Sequence, residues 1–315
     1  GTGNNNFGMS HTFADFNGDG AMDFLVVGMS STTARRLDAM GLGRDEFSEF
    51  QKMRPVMGYG NRMYLGRKGG FDVAPFNDSV ARTGWSWGSV SFDFDNDGDR
   101  DLYIGNGHTS GKSSKDYCTR FWCHDIYTVG SESNAFRAAL FVDSLRDLNR
   151  GAESWNGYEH NALLMNESGQ DFSNIGFLLG VAFEYDTRAV VSSDLDNDGR
   201  EDLVVVTRSP RPEMVDHAYV YRNVLQTTNN WIGVRLKEEG QGYSPVGAKI
   251  TLHTASGTQA KQLVTGDSYR AQHPNRATFG LGASRHVDRL EVKWLNGQVK
   301  IIEAPAINQY HLVRP

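Results

Sequence analysis

Three acidic stretches carry the clearest chemistry in this chain, and they share one spacing. The first supplies Asp15, Asn17, Asp19, Ala21 and Asp23; the second Asp93, Asp95, Asp97, Asp99 and Asp101; the third Asp194, Asp196, Asp198, Arg200 and Asp202. In each, oxygen-bearing side chains stand at positions 1, 3, 5 and 9 of the loop. Gly20, Gly98 and Gly199 stand at position 6, where a wrapping backbone turns sharply. A hard cation takes about six to eight oxygens, and this pattern presents them around one centre. Ala21 and Arg200 have no side-chain oxygen, so the ligand expected at position 7 is a backbone carbonyl, with Asp99 following suit. The loops hold twelve Asp between them, and three divalent cations would bring the formal charge of −6 to zero. The expectation is about three Ca2+ sites.

A helical EF-hand loop is excluded. It needs a bidentate Glu at position 12 and flanking helices, whereas Val26, Ile104 and Val205 occupy that position inside β-branched runs. The loops therefore sit between strands. A loop that encloses its ion leaves little room for substrate, so the ions are expected to stabilise rather than to catalyse. No catalytic residue is assigned: no Gly-x-Ser-x-Gly elbow is present, and the chain is read as a binding protein before an enzyme.

Other candidates are weaker. Cys118 and Cys123 form a lone close pair, read first as a small disulfide, then as two free thiols, then as a metal-ligand pair. His108, His124 and His160, with Asp125 and Glu159 nearby, are candidates for a second metal, although their spacing does not force one. Trp85, Trp87, Phe121, Trp122 and Trp155 concentrate aromatic surface. Trp85 and Trp87 are expected in a core, and Phe121 and Trp122 as an exposed partner contact.

The elements that position the loops recur with them. A strand enters each loop, a strand leaves it, and a further strand follows at Asn61–Gly66, His160–Asn166 or Ala218–Asn223. Loop starts are 78 and 101 residues apart. Two insertions account for the excess over a unit of roughly fifty residues, a propeller-like period. The first, about 30–58, reads as two short helices with Pro55 ending the second. The second, about 107–158, reads as a helix from Ser133 to Leu148 with Phe136, Leu140, Leu145 and Leu148 on one face. From Trp231 onward, short strands and an Asn296-Gly297 turn indicate a compact β domain, read as a sandwich.

The loops and intervening Asn-x-x-Tyr/Leu hairpins resemble FG-GAP/VCBS repeats of integrin-α-like β-propellers. Trp231-Ile232-Gly233-Val234, Gly247-Ala248-Lys249-Ile250, Gly266-Asp267-Ser268-Tyr269, Phe279-Gly280-Leu281-Gly282 and Val292-Lys293-Trp294-Leu295-Asn296-Gly297 resemble an ASPIC/UnbV domain. Together, in this order, they resemble secreted proteins of the cartilage acidic protein type and their bacterial relatives. The resemblance implies an all-β chain: calcium-binding propeller blades over residues 1–228 with two helical insertions, then a small β-sandwich domain over residues 229–315. Three repeats do not close a seven-bladed ring. The first loop also lies within fifteen residues of Gly1, so further sequence upstream, degenerate blades within the chain, or a second chain is expected to complete it.

The expected role is a secreted calcium-binding scaffold for protein–protein, cell-surface or matrix contact, or for self-assembly. The alternative is an extracellular enzyme or carbohydrate-binding protein with its site under the insertions. A protein or glycan partner is expected, with a homo-oligomer as one form. Calcium loops and a disulfide point to an extracellular, periplasmic or cell-surface location. No basic stripe suggests nucleic acid, and no apolar run reaches the length of a membrane span.

Overall fold

A computed structural model describes residues 6–127, 135–237 and 244–315, with all their side chains except those of residues 124, 125, 127, 137, 138 and 140. The structure is mostly β, with a few helices. Three antiparallel sheets repeat one plan. The first contains β1 (Gly8–Ala14), β2 (Asp23–Gly28), β3 (Arg62–Arg67) and β4 (Gly70–Val73), in that spatial order. After β2 come α1 (Thr32–Ala39), α2 (Ser48–Met57) and, beyond β4, α3 (Asn77–Ala81). The second sheet contains β5 (Ser86–Phe92), β6 (Asp101–Asn106), β7 (Ala162–Asn166) and β8 (Phe172–Asn174). Its insertion carries α4 (Tyr117–Tyr127), α5 (Ala135–Ala138), a π turn at Ala139–Asp143 and α6 (Ser144–Asn149). The third sheet contains β9 (Asp186–Ser193), β10 (Asp202–Arg208) and β11 (Asp216–Tyr221), again in sequence order.

Period-2 alternation decides how the sheets stack, because it sends every second residue to the same face. Leu25, Val27 and Met63 of the first sheet share a core with Leu102, Ile104 and Leu164 of the second. Val90, Tyr103 and Leu163, on the second sheet's other face, share a core with Val190, Leu203 and Val205 of the third. The lead strands β1, β5 and β9 consequently lie side by side. Thr12 Oγ1 on β1 donates to the Ser89 carbonyl on β5 at 3.0 Å. The three sheets form no closed ring among the described residues.

The insertions depart from expectation in four places. Pro55 lies inside α2 rather than ending it. In the last turn its missing N–H deprives a single carbonyl, and Gly58 N–H donates to Arg54 O at 2.9 Å to close the helix. Cys118 and Cys123 are free thiols on the one helix α4. Residues five apart on an α-helix rise about 7.5 Å along the axis and point in different directions, beyond disulfide reach. Trp122 is buried and Phe121 half-buried, packed with Met29, Leu37 and Trp85, so the expected exposed contact is part of a core. Of the proposed helical face, Leu148 is buried, whereas Phe136 and Leu145 are exposed. The π turn between them shifts the helical phase that a 3.6-residue count assumes. Ser133, expected to cap this helix, lies outside the described residues.

The remaining strands build two sheets around one core. They are β12 (Asn230–Leu236), β13 (Lys249–Thr254), β14 (Gly257–Gln262), β15 (Arg276–Gly282), β16 (Arg289–Lys293), β17 (Val299–Glu303) and β18 (Tyr310–Val313). One sheet runs β15-β12-β18 and the other β14-β13-β16-β17. Ile232, Val234 and Phe279 meet Ile250, Leu252, Leu290 and Val292 between them. The Asn296-Gly297 turn joins β16 to β17, with Gly297 at φ 87°.

Two asparagines stitch the repeated sheets together. Asn166, ending β7, donates through Nδ2 to Phe16 O at 2.9 Å in the preceding repeat and to Arg100 O at 3.0 Å in its own. Asn223, just after β11, donates to Phe94 O of its preceding repeat at 2.6 Å. Removing such a side chain leaves buried carbonyls unpaired, at roughly 1–3 kcal/mol each. Asn166→Ala is therefore expected to lower the unfolding free energy by about 2 kcal/mol or more, measured by urea denaturation. A change within error would show that the stitch does not hold the sheets.

Candidate metal centres

Each acidic loop joins the first two strands of its sheet, and the three fold alike. Two positions per loop take positive φ: Gly18, Asn96 and Asn197 at position 4 (72°, 62° and 66°), and Gly20, Gly98 and Gly199 at position 6 (85°, 106° and 91°). Glycine takes this conformation freely and asparagine tolerates it. The position-4 preference was legible as Gly or Asn at one place in all three repeats, but the reading above used position 6 alone.

The position-1 carboxylates organise each turn. Asp15 accepts from Asp19 N at 3.1 Å and Gly20 N at 2.8 Å. Asp93 accepts from Asp97 N at 3.1 Å and Gly98 N at 3.0 Å. Asp194 accepts from Asp198 N at 3.1 Å and Gly199 N at 2.9 Å. The position-9 carboxylates tie the loop to the sheet. Asp23 accepts from Phe16 N and Gly66 N, both at 2.7 Å. Asp101 accepts from Phe94 N at 3.1 Å and Asn166 N at 2.9 Å. Asp202 accepts from Leu195 N at 2.9 Å and Asn223 N at 2.8 Å. Each thus bridges its own loop and the third strand of its sheet or, for Asp202, the residue two beyond that strand.

Two groups of three carboxylates converge closely enough to hold a metal ion. Ligand atoms of Asp93, Asp95 and Asp101 lie within 4.8 Å of one another, as do those of Asp194, Asp196 and Asp202. The donors are all hard oxygens, the set that suits calcium or magnesium rather than softer metals. At position 7 the Asp99 carboxylate turns away and accepts from Ser168 N at 3.0 Å. Arg200 turns to Asn223 O at 3.0 Å and pairs with Asp198. Arg222 also pairs with Asp196, at 2.7 Å. The third loop thus brings two guanidinium groups to its own carboxylates.

Crowding shows in the electrostatics of the second loop. Burial pushes the Asp93 carboxyl up to about 8; Arg100 opposes the rise, and Asp97 and Asp95 add to it. Burial and then Asp97 push Asp99 to about 7. Burial also raises Asp101 well above the carboxylate range. In the first loop, burial raises Asp23 to about 6. A cation among these groups favours the charged forms and reverses each rise.

The C-terminal strands sit directly on the second and third loops. Gly280 N donates to Asp93 Oδ2 at 3.1 Å, and Gly282 N to Asn96 O at 2.9 Å. A Cβ on Gly280 would come within 2.1 Å of Asp93 Oδ2, so only glycine permits this approach. Tyr310 Oη donates to Asp194 Oδ2 at 2.7 Å, and Gly199 packs on the Trp231 ring. Asp93 and Asp194 are buried beneath this cover, whereas Asp15 of the first loop is half-buried.

Among the described side chains, the histidines are held by other partners. Among the described residues, no close group of three ligand atoms includes a histidine. His160 hydrogen-bonds Ala182 O and pairs with Glu184, both at 3.0 Å. His108 is stacked on Trp85 and Trp87. The side chain of His124 lies outside the described residues.

Residues 239–315 match the family described as ASPIC and UnbV. No curated protein matches the sequence. Among solved structures, the V. cholerae biofilm matrix protein Bap1 resembles the chain at 10% identity and a TM-score of 0.27, covering 94% of this chain and 40% of that one. The exotype rhamnogalacturonan lyase YesX does so at 17% identity and a TM-score of 0.25, covering 69% of this chain and 31% of that one. The chain spans less than half the length of either protein.

Carboxyls held near or above neutral pH must lose their protons when a cation enters. Titrating a divalent cation into weakly buffered protein at pH 7 is expected to acidify the solution, with Asp93, Asp99 and Asp101 as the sources. At pH 9.5 the release is expected to be smaller. Metal uptake at pH 7 without proton release would show that the second loop is not crowded in this way.

Proposed function

We propose that this chain is a secreted calcium-binding scaffold. In this reading its three repeated sheets are FG-GAP/VCBS propeller blades within residues 1–228. Residues 229–315 form an ASPIC/UnbV-type β-sandwich domain, the combination found in the cartilage acidic protein type. The observation that carries the reading is the repeated loop, folded the same way three times and offering converging carboxylates in two of its copies. The ligands proposed are Asp15, Asn17, Asp19, Asp23 and the Ala21 carbonyl; Asp93, Asp95, Asp97, Asp101 and the Asp99 carbonyl; and Asp194, Asp196, Asp198, Asp202 and the Arg200 carbonyl. Loops of this kind suit the millimolar calcium of an extracellular or periplasmic location. With both cysteines free, no disulfide supports that location, and the proposal leans on the loops alone.

The scaffold's contact surface has a natural place on the first sheet. One face of that sheet is covered by the second. On the other, Phe13, Phe71 and Val73 are exposed, and Phe24 stacks on Tyr64 with ring centroids 4.8 Å apart. In the propeller reading another blade packs here, from further sequence or from a second chain, which makes assembly part of the function.

Calcium bound to the native state and not to the unfolded chain stabilises by about 4 kcal/mol per site at a thousandfold excess over its dissociation constant. Chelation is expected to lower the melting temperature by roughly 10 °C or more. Elemental analysis of the protein purified in calcium is expected to find about three calcium ions per chain. An unchanged melt, or stoichiometric copper, zinc or iron in place of calcium, would sink the reading.

A further inference from the structure

At the end of the sheets away from the acidic loops lies a cavity of about 580 Å3, between the second and third sheets and beneath α6. That volume is within the range of small-molecule sites, about 300–1,000 Å3. Four aromatic rings line it, those of Trp87, His108, Trp155 and Tyr269. His108 lies 4.2 Å from Trp85 and 5.4 Å from Trp87, at interplanar angles of 22° and 20°. Trp155 stands edge-on to His108 at 5.1 Å, and Tyr269 edge-on to Trp87 at 5.1 Å. Burial, then Arg188 and Arg211, push the His108 imidazole down to about 3, so it is a neutral member of the stack at physiological pH.

The charge of the cavity runs against that of the chain. Arg188, Arg208, Arg211 and Arg270 line it, with Asp216 as the lining carboxylate, in a protein of net charge −6. Asp216 is taken up by Arg208, at 2.8 and 3.1 Å. Arg188 hydrogen-bonds carbonyls rather than an acid, while Asp186 and Asp216 act on its charge through space. It donates to Gly107 O at 2.7 Å, to Thr187 O at 3.1 Å and to His108 O, and lies 4.4 Å over the Trp87 ring. Arg211 reaches Asn149 O at 3.5 Å, and its Nε has no acceptor among the described residues. Arg270 lies 5.2 Å over Tyr269. Arg188, Arg211 and Arg270 therefore line one cavity with no carboxylate in ion-pair contact among the described residues, although Asp186 and Asp216 partly offset the charge of Arg188. A partly buried cation in this state favours an anionic ligand.

We propose that this cavity binds an acidic saccharide, a carboxylate-bearing pyranose at the end or along the chain of a glycan. The Trp87, His108, Trp155 and Tyr269 rings that line the cavity offer apolar surface to the C–H groups of a sugar ring. The guanidinium forks match a carboxylate two-point. Tyr269 and Arg270 come from the C-terminal segment, so the site exists only where that segment lies against the second and third sheets. The inference narrows the partner of the proposed scaffold to a glycan and in that respect rests on the scaffold reading.

The test is isothermal titration of the full chain in saturating calcium with a galacturonic acid trimer. The expected result is saturable binding, absent for the carboxyl-reduced galactose trimer. Arg188→Gln and Arg270→Gln are each expected to weaken it at least tenfold. Arg270 is exposed, so its substitution leaves packing intact and decides the matter if Arg188→Gln fails to fold. Equal binding of the neutral trimer, of a tetraglutamate peptide or of inorganic sulfate would overturn the proposal, as would no binding or no effect of Arg270→Gln. If the trimer fails while chelation still lowers the melting temperature, the pocket is refuted and the calcium scaffold stands.

Discussion

The structure depends on a carboxylate that does two jobs at once. Asp23, Asp101 and Asp202 each accept one backbone N–H from their own loop and one from the third strand of their sheet or, for Asp202, from the residue two beyond it. A charged acceptor holds a backbone donor more strongly than a carbonyl does. Asp23 and Asp101 therefore fix the loop's exit against the strand that follows the insertion, and Asp202 fixes it against the end of β11. This explains how inserted segments of about thirty residues after β2 and more than fifty after β6 are accommodated without losing register. The chain can wander between the second and third strands because the loop itself marks where the third strand must return.

Much of this frame was legible in the residues. The Gly at position 6, the oxygens at positions 1, 3, 5 and 9 and the β-branched run behind them marked strand–loop–strand three times. The hairpins beginning at Asn61 and His160 also formed where the alternation placed them. What escaped is set by contacts distant in sequence. Gly280 and Tyr310 meet Asp93 and Asp194 across 187 and 116 residues. Nothing local distinguishes that Gly or Tyr from others. The disulfide failed because α4 runs through both cysteines, so helical geometry overrode their closeness in sequence. The helical face at 136–148 failed because a π turn changes the phase that a sequence count holds constant. The buried place of Trp122 was hidden for a similar reason: its environment is made by Phe7, Met29 and Leu37, far away along the chain.

The C-terminal strands make the loops something more than ties. Position-1 carboxylates are buried where those strands cover them and half-buried in the first loop, where they do not. Burial raises the cost of a bare negative charge, so the cover and a cation favour each other. Arg100 follows the same logic: its guanidinium donates to Thr278 O at 3.2 Å and offsets the charge of Asp93. In the third loop Arg200 and Arg222 supply positive charge directly. The two covered loops thus meet one electrostatic problem by different means, although carboxylates converge around a single centre in both.

A lead strand at the edge of a sheet presents unpaired backbone groups, which other chains can pair with. Here the segment between β14 and β15 lies across those edges. Ser268 N donates to His11 O of β1 at 3.0 Å, and Gly88 of β5 comes close to Ser268 Oγ. Tyr269 then packs on Trp87. The same segment therefore protects the inner strands and carries Tyr269 and Arg270 to the rim of the cavity at the far end. Cover over the loops and completion of the cavity are two consequences of one docking event. Any change that lifts the C-terminal strands from Asp93 and Asp194 also withdraws the aromatic and cationic rim from the opposite end of the molecule.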